Sequence, residues 1–278
     1  MTDCLAERDV TCARCSGDGY VTSAGVDAAV ASMCDHLKSC AGCRGSGFVD
    51  GVDEAGYEFR APCARRGLER RIGLFDAAGM PARYHDVTIE SFEARGGNQA
   101  FLRATFGELR DTFEAGNRGV GLSGPPGVGK THLLSALARY LLLERGMRLR
   151  YFEFARLLSD LKAGFDSGRS EAQLIRPLVS IDVLLIDELG KGRGSEWEIG
   201  VLDEIVGERY NRGLSTFYAT NFRVDGSVDV SWNAPHRQVS GSAPAQTLAE
   251  RLGPRIWSRL TEMCQPLPID GPDARSSR

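Results

Sequence analysis

The stretch that decides the fold reads Gly124-Pro125-Pro126-Gly127-Val128-Gly129-Lys130-Thr131. It fits the phosphate-loop pattern G-x-x-x-x-G-K-[ST] at every fixed position. In such a loop the glycines bring backbone N–H groups against phosphate oxygens, the lysine reaches the β- and γ-phosphates, and the threonine hydroxyl binds Mg²⁺. We therefore predict a nucleoside triphosphate site with Mg²⁺, to which all eight residues contribute.

The segments on either side of this loop give it the setting that phosphate binding needs. Residues 119–122 are predicted as a short buried strand, and residues 133–143 as a helix. The N-terminal end of that helix adds its positive dipole end beneath the phosphates. A glycine- and proline-rich turn that carries a lysine by chance is the alternative, and the flanking pattern disfavours it.

Composition limits the classes of protein to which the chain can belong. With 278 residues, 42% of them apolar, it can form one large domain and a small one. The net charge of −3 argues against coating nucleic acid by bulk charge, although a local basic groove remains compatible with it. We find no long apolar run and no secretory signal, and therefore expect a cytoplasmic protein with no membrane partner.

Eight cysteines in a cytoplasmic chain favour metal binding over disulfides. Two similar units read Cys12-Ala13-Arg14-Cys15-Ser16-Gly17-Asp18-Gly19-Tyr20 and Cys40-Ala41-Gly42-Cys43-Arg44-Gly45-Ser46-Gly47-Phe48. Each C-x-x-C turn can place two thiolates on one metal ion, so two turns complete a tetrahedral, structural Zn²⁺ site. The predicted ligands are Cys12, Cys15, Cys40 and Cys43.

Other readings of these cysteines stay open. Cys34 or Cys63 could replace one of the four predicted ligands. Redox pairs and plain thiols are further alternatives, but a thioredoxin-like pair needs a βαβ setting that this glycine-rich segment lacks.

Predicted strands and helices alternate after the phosphate loop, which indicates a parallel α/β sheet. Asp187 and Glu188 follow the apolar run 181–186, at a strand end where ligands bind in such sheets. We predict that Asp187 helps to hold Mg²⁺ and that Glu188 polarises the attacking water. Asn221, at the end of the next strand, can hydrogen-bond the water or the γ-phosphate. Plain surface acids and a turn asparagine are the alternatives.

Three arginines follow at intervals of four residues. Residues 248–260 are predicted as one helix, so Arg251, Arg255 and Arg259 line one side of it. They can form an ordinary charged face. Alternatively, one of them reaches the γ-phosphate of a neighbouring subunit, which requires subunits assembled head to tail.

Four runs of sequence carry a family resemblance: GPPGVGKTHLL, LLIDELG, YATNF and ERLGPRIWSRLTEMC. Together they resemble the DnaC/DnaI/IstB group of AAA+ ATPases over about residues 80–275. The resemblance implies a five-stranded parallel AAA+ core with bound ATP and Mg²⁺. It implies Walker A at residues 124–131 with Lys130 catalytic, Walker B at Asp187 and Glu188, and sensor 1 at Asn221.

The same resemblance assigns further residues to the site. Arg259 looks like the arginine finger, with Arg255 as a supporting basic residue. Arg275 is similar to the second-sensor arginine of the group, and His132, directly after the loop threonine, belongs to the likeness. The cysteine units resemble those of the DnaJ zinc-binding region, from which we infer no DnaJ function.

These observations predict three domains or segments. Residues 1–63 form a zinc-binding module, residues 64–95 a linker and approach segment, and residues 96–275 the AAA+ domain. Within that domain residues 224–246, which lack periodicity, are predicted as a disordered insert.

The leading hypothesis for the function is an ATP-hydrolysing loader of a replicative helicase. The cysteine module would bind the helicase, and the core would self-associate through its ATP interface. Lys191 and Arg193 are candidate contacts to single-stranded DNA, with ordinary loop cations as the alternative. One alternative is an IstB-type transposition helper on duplex DNA. Another is an ATP-regulated chaperone-like adaptor, which the Asp187-Glu188 pair disfavours because a binding switch needs no catalytic base.

Overall fold

The computed structural model describes residues 12–35, 43, 48–224 and 246–275. The chain divides into two compact units, of which the first comprises Met1–Asp86 with Arg139–Met147 and the second Val87–Ala138 with Arg148–Arg278. Cys40 and the predicted insert, apart from its two end residues, lie outside the described residues. The domain boundaries at residues 63 and 95 stay predictions.

The first unit contains two antiparallel hairpins and a helix. Its elements are β1 (Tyr20–Ala24), β2 (Ala29–Met33), β3 (Phe48–Val52), β4 (Glu58–Pro62) and α1 (Ala64–Ala77), followed by a 3₁₀ turn at Ala82–Tyr84. β1 pairs with β2 and β3 pairs with β4. None of these strands was predicted from the sequence, and the segment predicted as a linker, residues 64–95, begins with the 14-residue helix α1.

Hydrogen bonds fix the first hairpin within this unit. Tyr20 is buried, and its hydroxyl donates to Glu144 Oε1 over 2.6 Å. The N–H of Ala31 on β2 donates to the carboxylate of Asp76 on α1 over 2.7 Å. The hairpin is therefore joined to both the helix α1 and the segment Arg139–Met147.

The second unit is built on one parallel sheet. In spatial order its strands are β6 (Leu149–Glu153), β7 (Val183–Asp187), β8 (Ser215–Thr220), β5 (Gly119–Ser123) and β9 (Cys264–Pro268). All pairings are parallel, which confirms the predicted five-stranded parallel α/β fold. β5, β7 and β8 are buried along their whole length, as expected for parallel strands that helices cover on both faces.

Seven helices surround the sheet in the described residues. They are α2 (Gln99–Thr112), α3 (Lys130–Leu143), α4 (Phe154–Asp166), α5 (Glu171–Ser180), α6 (Glu196–Asn211), α7 (Leu248–Leu252) and α8 (Pro254–Met263). Three of them, α5, α6 and α7, begin with a capping box, in which a Ser or Thr side chain and a Gln or Glu three residues later satisfy the first backbone N–H groups. No described helix has the length and apolar character needed to cross a membrane.

The prediction of one continuous helix over residues 248–260 is wrong. Gly253 has φ +83°, a backbone conformation that ends α7, and Pro254 opens α8 at its first position. Arg251 therefore belongs to α7, whereas Arg255 and Arg259 belong to α8. The three arginines do not line one side of a single helix.

A buried arginine joins several elements at the amino ends of the strands. Arg209 on α6 is 0% exposed, and its guanidinium donates to Thr216 Oγ1 over 3.0 Å. It also donates to the carbonyl oxygens of Leu178, Ile181 and Ser215 over 2.8, 2.9 and 2.5 Å. Burial lowers the pKa of Arg209 to about 10. This one side chain thus connects α6, the end of α5 and the start of β8.

We expect Arg209→Met to destabilise the protein strongly. The substitution leaves three carbonyl oxygens without their donor, at roughly 1–3 kcal/mol each. The free energy of unfolding should therefore fall by about 3 kcal/mol or more, measured by urea denaturation. As a control, Arg212→Met removes an arginine of the same region that forms only a half-exposed pair with Glu208, and should cost less than about 1 kcal/mol. Equal losses in the two variants would contradict the role of Arg209.

Candidate nucleotide site and cysteine cluster

Glycines are required in the phosphate loop for two reasons. Gly127 and Gly129 have φ of +85° and +101°, which L side chains rarely adopt. In addition, a Cβ at Gly129 would collide with the ring of Phe92, and a Cβ at Gly127 with the carboxylate of Asp273. The loop is therefore shaped by its close neighbours as well as by its own backbone.

Lys130 opens α3 and lies at the centre of the site. Its ammonium donates to the carbonyl oxygens of Gly124 and Pro125 over 2.7 and 2.8 Å, and to Asn221 Oδ1 over 2.6 Å. Burial lowers the pKa of Lys130 to about 8, although nearby carboxylates oppose the shift. The structure thus brings together the loop lysine and the asparagine at the end of β8. A phosphate oxygen beside Lys130 would meet an ammonium group that its hydrogen bonds already hold in place.

Asp187, at the end of β7, receives three hydrogen bonds. Thr131 Oγ1 and Tyr151 Oη both donate to its Oδ2 over 2.8 Å. The backbone N–H of Glu188 donates to its Oδ1 over 2.9 Å. The hydroxyl of Thr131 and the carboxylate of Asp187 are oxygen donors of the kind that Mg²⁺ prefers. These two residues could hold the ion, and their side chains meet without rearrangement of the backbone.

Tyr151 is a residue of this site that was not predicted from the sequence. Tyr151 pairs with Leu185, so Asp187 lies two residues further along the same face of the sheet. Such diagonal neighbours on adjacent strands are within reach of a long aromatic side chain. The feature that could have identified it is a hydroxyl-bearing side chain, Tyr151, on the same face of the sheet as Asp187 on the neighbouring strand.

Glu188 has an unusual backbone conformation, with φ +53°. Non-glycine residues with positive φ are uncommon and often occur at functional sites. Its carboxylate contacts the ammonium of Lys191, which also lies 3.7 Å from Glu153 Oε1. The hydrogen bond to Glu188 raises the pKa of Lys191 above its ordinary value. Glu188 is therefore beside Asp187 at the sheet edge, but a neighbouring lysine engages its carboxylate.

His132 contacts the segment that precedes α2. Its Nε2 lies 3.1 Å from the carbonyl oxygen of Thr88 and 3.2 Å from Ser91 Oγ. Its ring meets Phe92 edge to face, with centroids 5.4 Å apart. Because Phe92 also covers Gly129, His132 connects the approach segment to the phosphate loop.

Arg275 lies near the loop as well. The N–H of Ala274 donates to the carbonyl oxygen of Gly127 over 3.0 Å. Arg275 donates to Asp273 Oδ1 through its backbone N–H and through Nε, over 2.8 and 3.2 Å. The structure therefore places Arg275 one residue from a direct backbone contact with the phosphate loop, and its second-sensor role stays a prediction.

The two arginines of α8 share one carboxylate. Arg259 Nη1 lies 3.0 Å and Arg255 Nε lies 3.4 Å from Asp203 Oδ1 on α6. The side chain of Arg255 is 71% exposed and that of Arg259 only 22%. Arg251, on α7, instead donates to the carbonyl oxygen of Gly190 over 3.2 Å. The finger role of Arg259 stays a prediction.

In the first unit, three cysteines form a cluster that could hold a metal ion. The sulfur atoms of Cys12, Cys15 and Cys34 all lie within 4.8 Å of one another. The Sγ atoms of Cys12 and Cys34 are 3.7 Å apart, close to the separation of about 3.8 Å that two thiolates have in a tetrahedral zinc site. The donor set therefore fits zinc. Cys43 is buried, and the predicted set with Cys40 stays a prediction because Cys40 lies outside the described residues.

Together, the parallel sheet, the glycine-rich loop after β5 and the polar residues at the ends of β7 and β8 define an AAA+ P-loop core. The model of the family described as IstB-like ATP binding protein matches residues 70–225. This range is more than half of the chain, and the chain belongs to that family.

Individual relatives agree with this assignment. The replicative helicase loader DnaC of Escherichia coli (strain K12) is 30% identical over 154 residues, which cover 54% of this chain and 62% of DnaC. The match thus spans less than two thirds of that relative. A crystal structure of the DnaC helicase loader superposes with a TM-score of 0.56 at 28% identity, covering 68% of this chain and 99% of that one. A crystal structure of DnaI, with a TM-score of 0.50 at 20% identity, covers 70% and 93% and is alike in fold.

We expect Tyr151→Phe to weaken the binding of Mg²⁺ at this site. The variant loses only the hydroxyl that donates to Asp187, so the carboxylate loses one of the groups that orient it. The Mg²⁺ concentration needed for half-maximal nucleotide binding should rise about 10-fold. The measurement is a titration with a fluorescent ADP analogue at a series of Mg²⁺ concentrations.

Tyr218→Phe is the matched control. Tyr218 lies on β8 of the same sheet, and its buried hydroxyl has no hydrogen-bond partner among the described residues. Its loss should leave the Mg²⁺ dependence unchanged. If the unaltered protein, Tyr151→Phe and Tyr218→Phe all needed the same Mg²⁺ concentration, Tyr151 would have no part in positioning Asp187.

Proposed function

We propose that this protein binds ATP with Mg²⁺ and hydrolyses it in order to load a replicative helicase onto single-stranded DNA. One observation carries the enzymatic part. Lys130, Thr131 and Asp187, with Asn221, converge at the carboxyl edge of the sheet through hydrogen bonds of 2.6–2.8 Å. This constellation supports a triphosphate site with a divalent cation.

In the proposed complex, the backbone N–H groups of residues 124–131 surround the phosphates, and Lys130 reaches the β- and γ-phosphates. Thr131 and Asp187 would hold Mg²⁺, which would neutralise charge on the phosphates. Because burial keeps Lys130 in an environment of low dielectric, its attraction to an anionic phosphate is stronger than it would be in water.

Hydrolysis requires a group that polarises water, and Glu188 is the proposed base, with Asn221 orienting the water or the γ-phosphate. For Glu188 to act, its carboxylate must leave Lys191, which contacts it in this structure. A phosphate of single-stranded DNA would compete for Lys191 and free the carboxylate. Arg259 of a second copy is the proposed source of further positive charge on the γ-phosphate, through self-association.

Two variants separate binding from turnover. Lys130→Ala should abolish nucleotide binding, because it removes the cation that faces the phosphates. Glu188→Gln should bind ATP normally but hydrolyse it at least about 100-fold more slowly, since loss of a general base costs about that factor or more. Binding is measured with a fluorescent ATP analogue and turnover by phosphate release.

Glu208→Gln, a change on the outer part of α6, is the control and should behave like the unaltered protein. Full hydrolysis by Glu188→Gln would reject Glu188 as the base. Nucleotide binding by Lys130→Ala would remove the support for the proposed site.

The partner is proposed from the relatives. DnaC is named a replicative helicase loader, and its likeness to this chain includes 30% identity over 154 residues. The family model begins at residue 70, so the cysteine module lies outside that match. We propose that this module contacts the helicase. The family description, IstB-like, favours the transposition helper as the second candidate.

Capture of partners distinguishes the candidates. The full chain carrying Glu188→Gln, with ATP, should retain the hexameric replicative helicase of the source organism, identified by mass spectrometry. The same bait with Lys130→Ala is the control and should retain less, because it cannot bind ATP. A transposase among the retained proteins would favour the helper instead, and a mixture of misfolded proteins would favour the adaptor.

A further inference from the structure

The first unit contains an internal repeat that the C-x-x-C motifs alone do not show. In each copy an aromatic residue opens the first strand of a hairpin, five residues after the second cysteine of the motif. Tyr20 follows Cys15 in this way, and Phe48 follows Cys43. A further cysteine then comes directly after the second strand of each hairpin.

The register of the two hairpins makes this correspondence structural. Tyr20 pairs with Met33, the residue before Cys34. Phe48 pairs with Pro62, the residue before Cys63. The closing cysteine therefore lies next to the start of the hairpin in both copies.

In the first copy the three sulfur atoms come together. Cys34 N–H donates to the carbonyl oxygen of Gly19 over 2.8 Å, which holds the end of the hairpin against the turn that follows Cys15. The sulfur atoms of Cys12, Cys15 and Cys34 lie within 4.8 Å of one another. Cys15 and Cys34 are 5% and 1% exposed, so both thiols face inward. The three sulfur atoms are close enough for one metal ion to bind all of them, with Cys34 among its ligands.

In the second copy the two described cysteines have the same features. Cys43 and Cys63 are 5% and 1% exposed. Cys43 precedes its hairpin by five residues, as Cys15 does, and Cys63 directly follows its hairpin, as Cys34 does. Cys40 belongs to this copy by the C-x-x-C spacing alone.

We propose that the first unit binds two zinc ions, one in each repeat, and that Cys34 and Cys63 are ligands of the two ions. The first centre has three thiolates, from Cys12, Cys15 and Cys34, and the second includes those of Cys43 and Cys63. Three thiolates leave one position of the tetrahedron for a further donor, and the number of ions per chain does not depend on which donor fills it. This arrangement differs from a single site formed by Cys12, Cys15, Cys40 and Cys43.

The experiment counts zinc in the purified, reduced full chain by inductively coupled plasma mass spectrometry. The unaltered protein should hold two zinc ions per chain. Cys34→Ser and Cys63→Ser should each hold one, and the double variant none. Cys264→Ser is the control, since Cys264 lies in β9 of the second unit, and this variant should hold two.

The unaltered protein tests the proposal without any substitution, because one zinc ion per chain, or none, would overturn it. If Cys34→Ser or Cys63→Ser kept both ions, that cysteine would not be a ligand. If either single variant lost both ions, the assignment of one ion to each repeat would be wrong. One ion in the unaltered protein and in both single variants would establish the shared four-thiolate site instead.

Discussion

The hydrogen bonds of Lys130 connect the parts of the nucleotide site. One ammonium group joins the phosphate loop, through the carbonyl oxygens of Gly124 and Pro125, to Asn221 at the end of the adjacent strand. A desolvated cation is costly unless polar atoms surround it, so the loop and the strand end must stay in this arrangement. The site is therefore held in shape by the same group that would contact the phosphates.

A second buried cation, Arg209, lies at the opposite end of β8. It donates to Thr216 Oγ1 and to three backbone carbonyl oxygens. Arg209 thus contacts neutral oxygens, as Lys130 does. The difference lies in position: Lys130 faces the carboxyl edge of a parallel sheet, where ligands bind, whereas Arg209 closes the amino end. We infer that one cation serves recognition and the other serves the fold.

The first unit is stabilised in a different way, because its small hairpins bury little apolar surface and metal binding can supply the missing stability. In this unit each C-x-x-C motif is followed by a hairpin, and a cysteine comes directly after the second strand of each hairpin. The family match begins at residue 70, so the proposed contact with the helicase falls in a part of the chain outside that match.

Much of the nucleotide site was predictable because its motifs are local. The phosphate loop requires glycines, a lysine and a threonine at fixed spacing, and the apolar run before Asp187 marks a strand covered on both faces. Parallel alternation of strands and helices then places both at one edge of the sheet. Residue types and their spacing along the chain were sufficient for these predictions.

Contacts between distant residues were not predictable in this way. Tyr151 meets Asp187 only because β6 and β7 pair in one register, and Arg209 finds its carbonyl oxygens only once α5, α6 and β8 have packed. Cys34 joins Cys12 because a hairpin of unpredicted register returns it there. Residue identity therefore determined the phosphate loop and the order of strands and helices. The partners of Tyr151, Arg209 and Cys34 depended on packing in the tertiary structure. Hydrogen bonds and metal ligation require distances between atoms that spacing along the chain does not define.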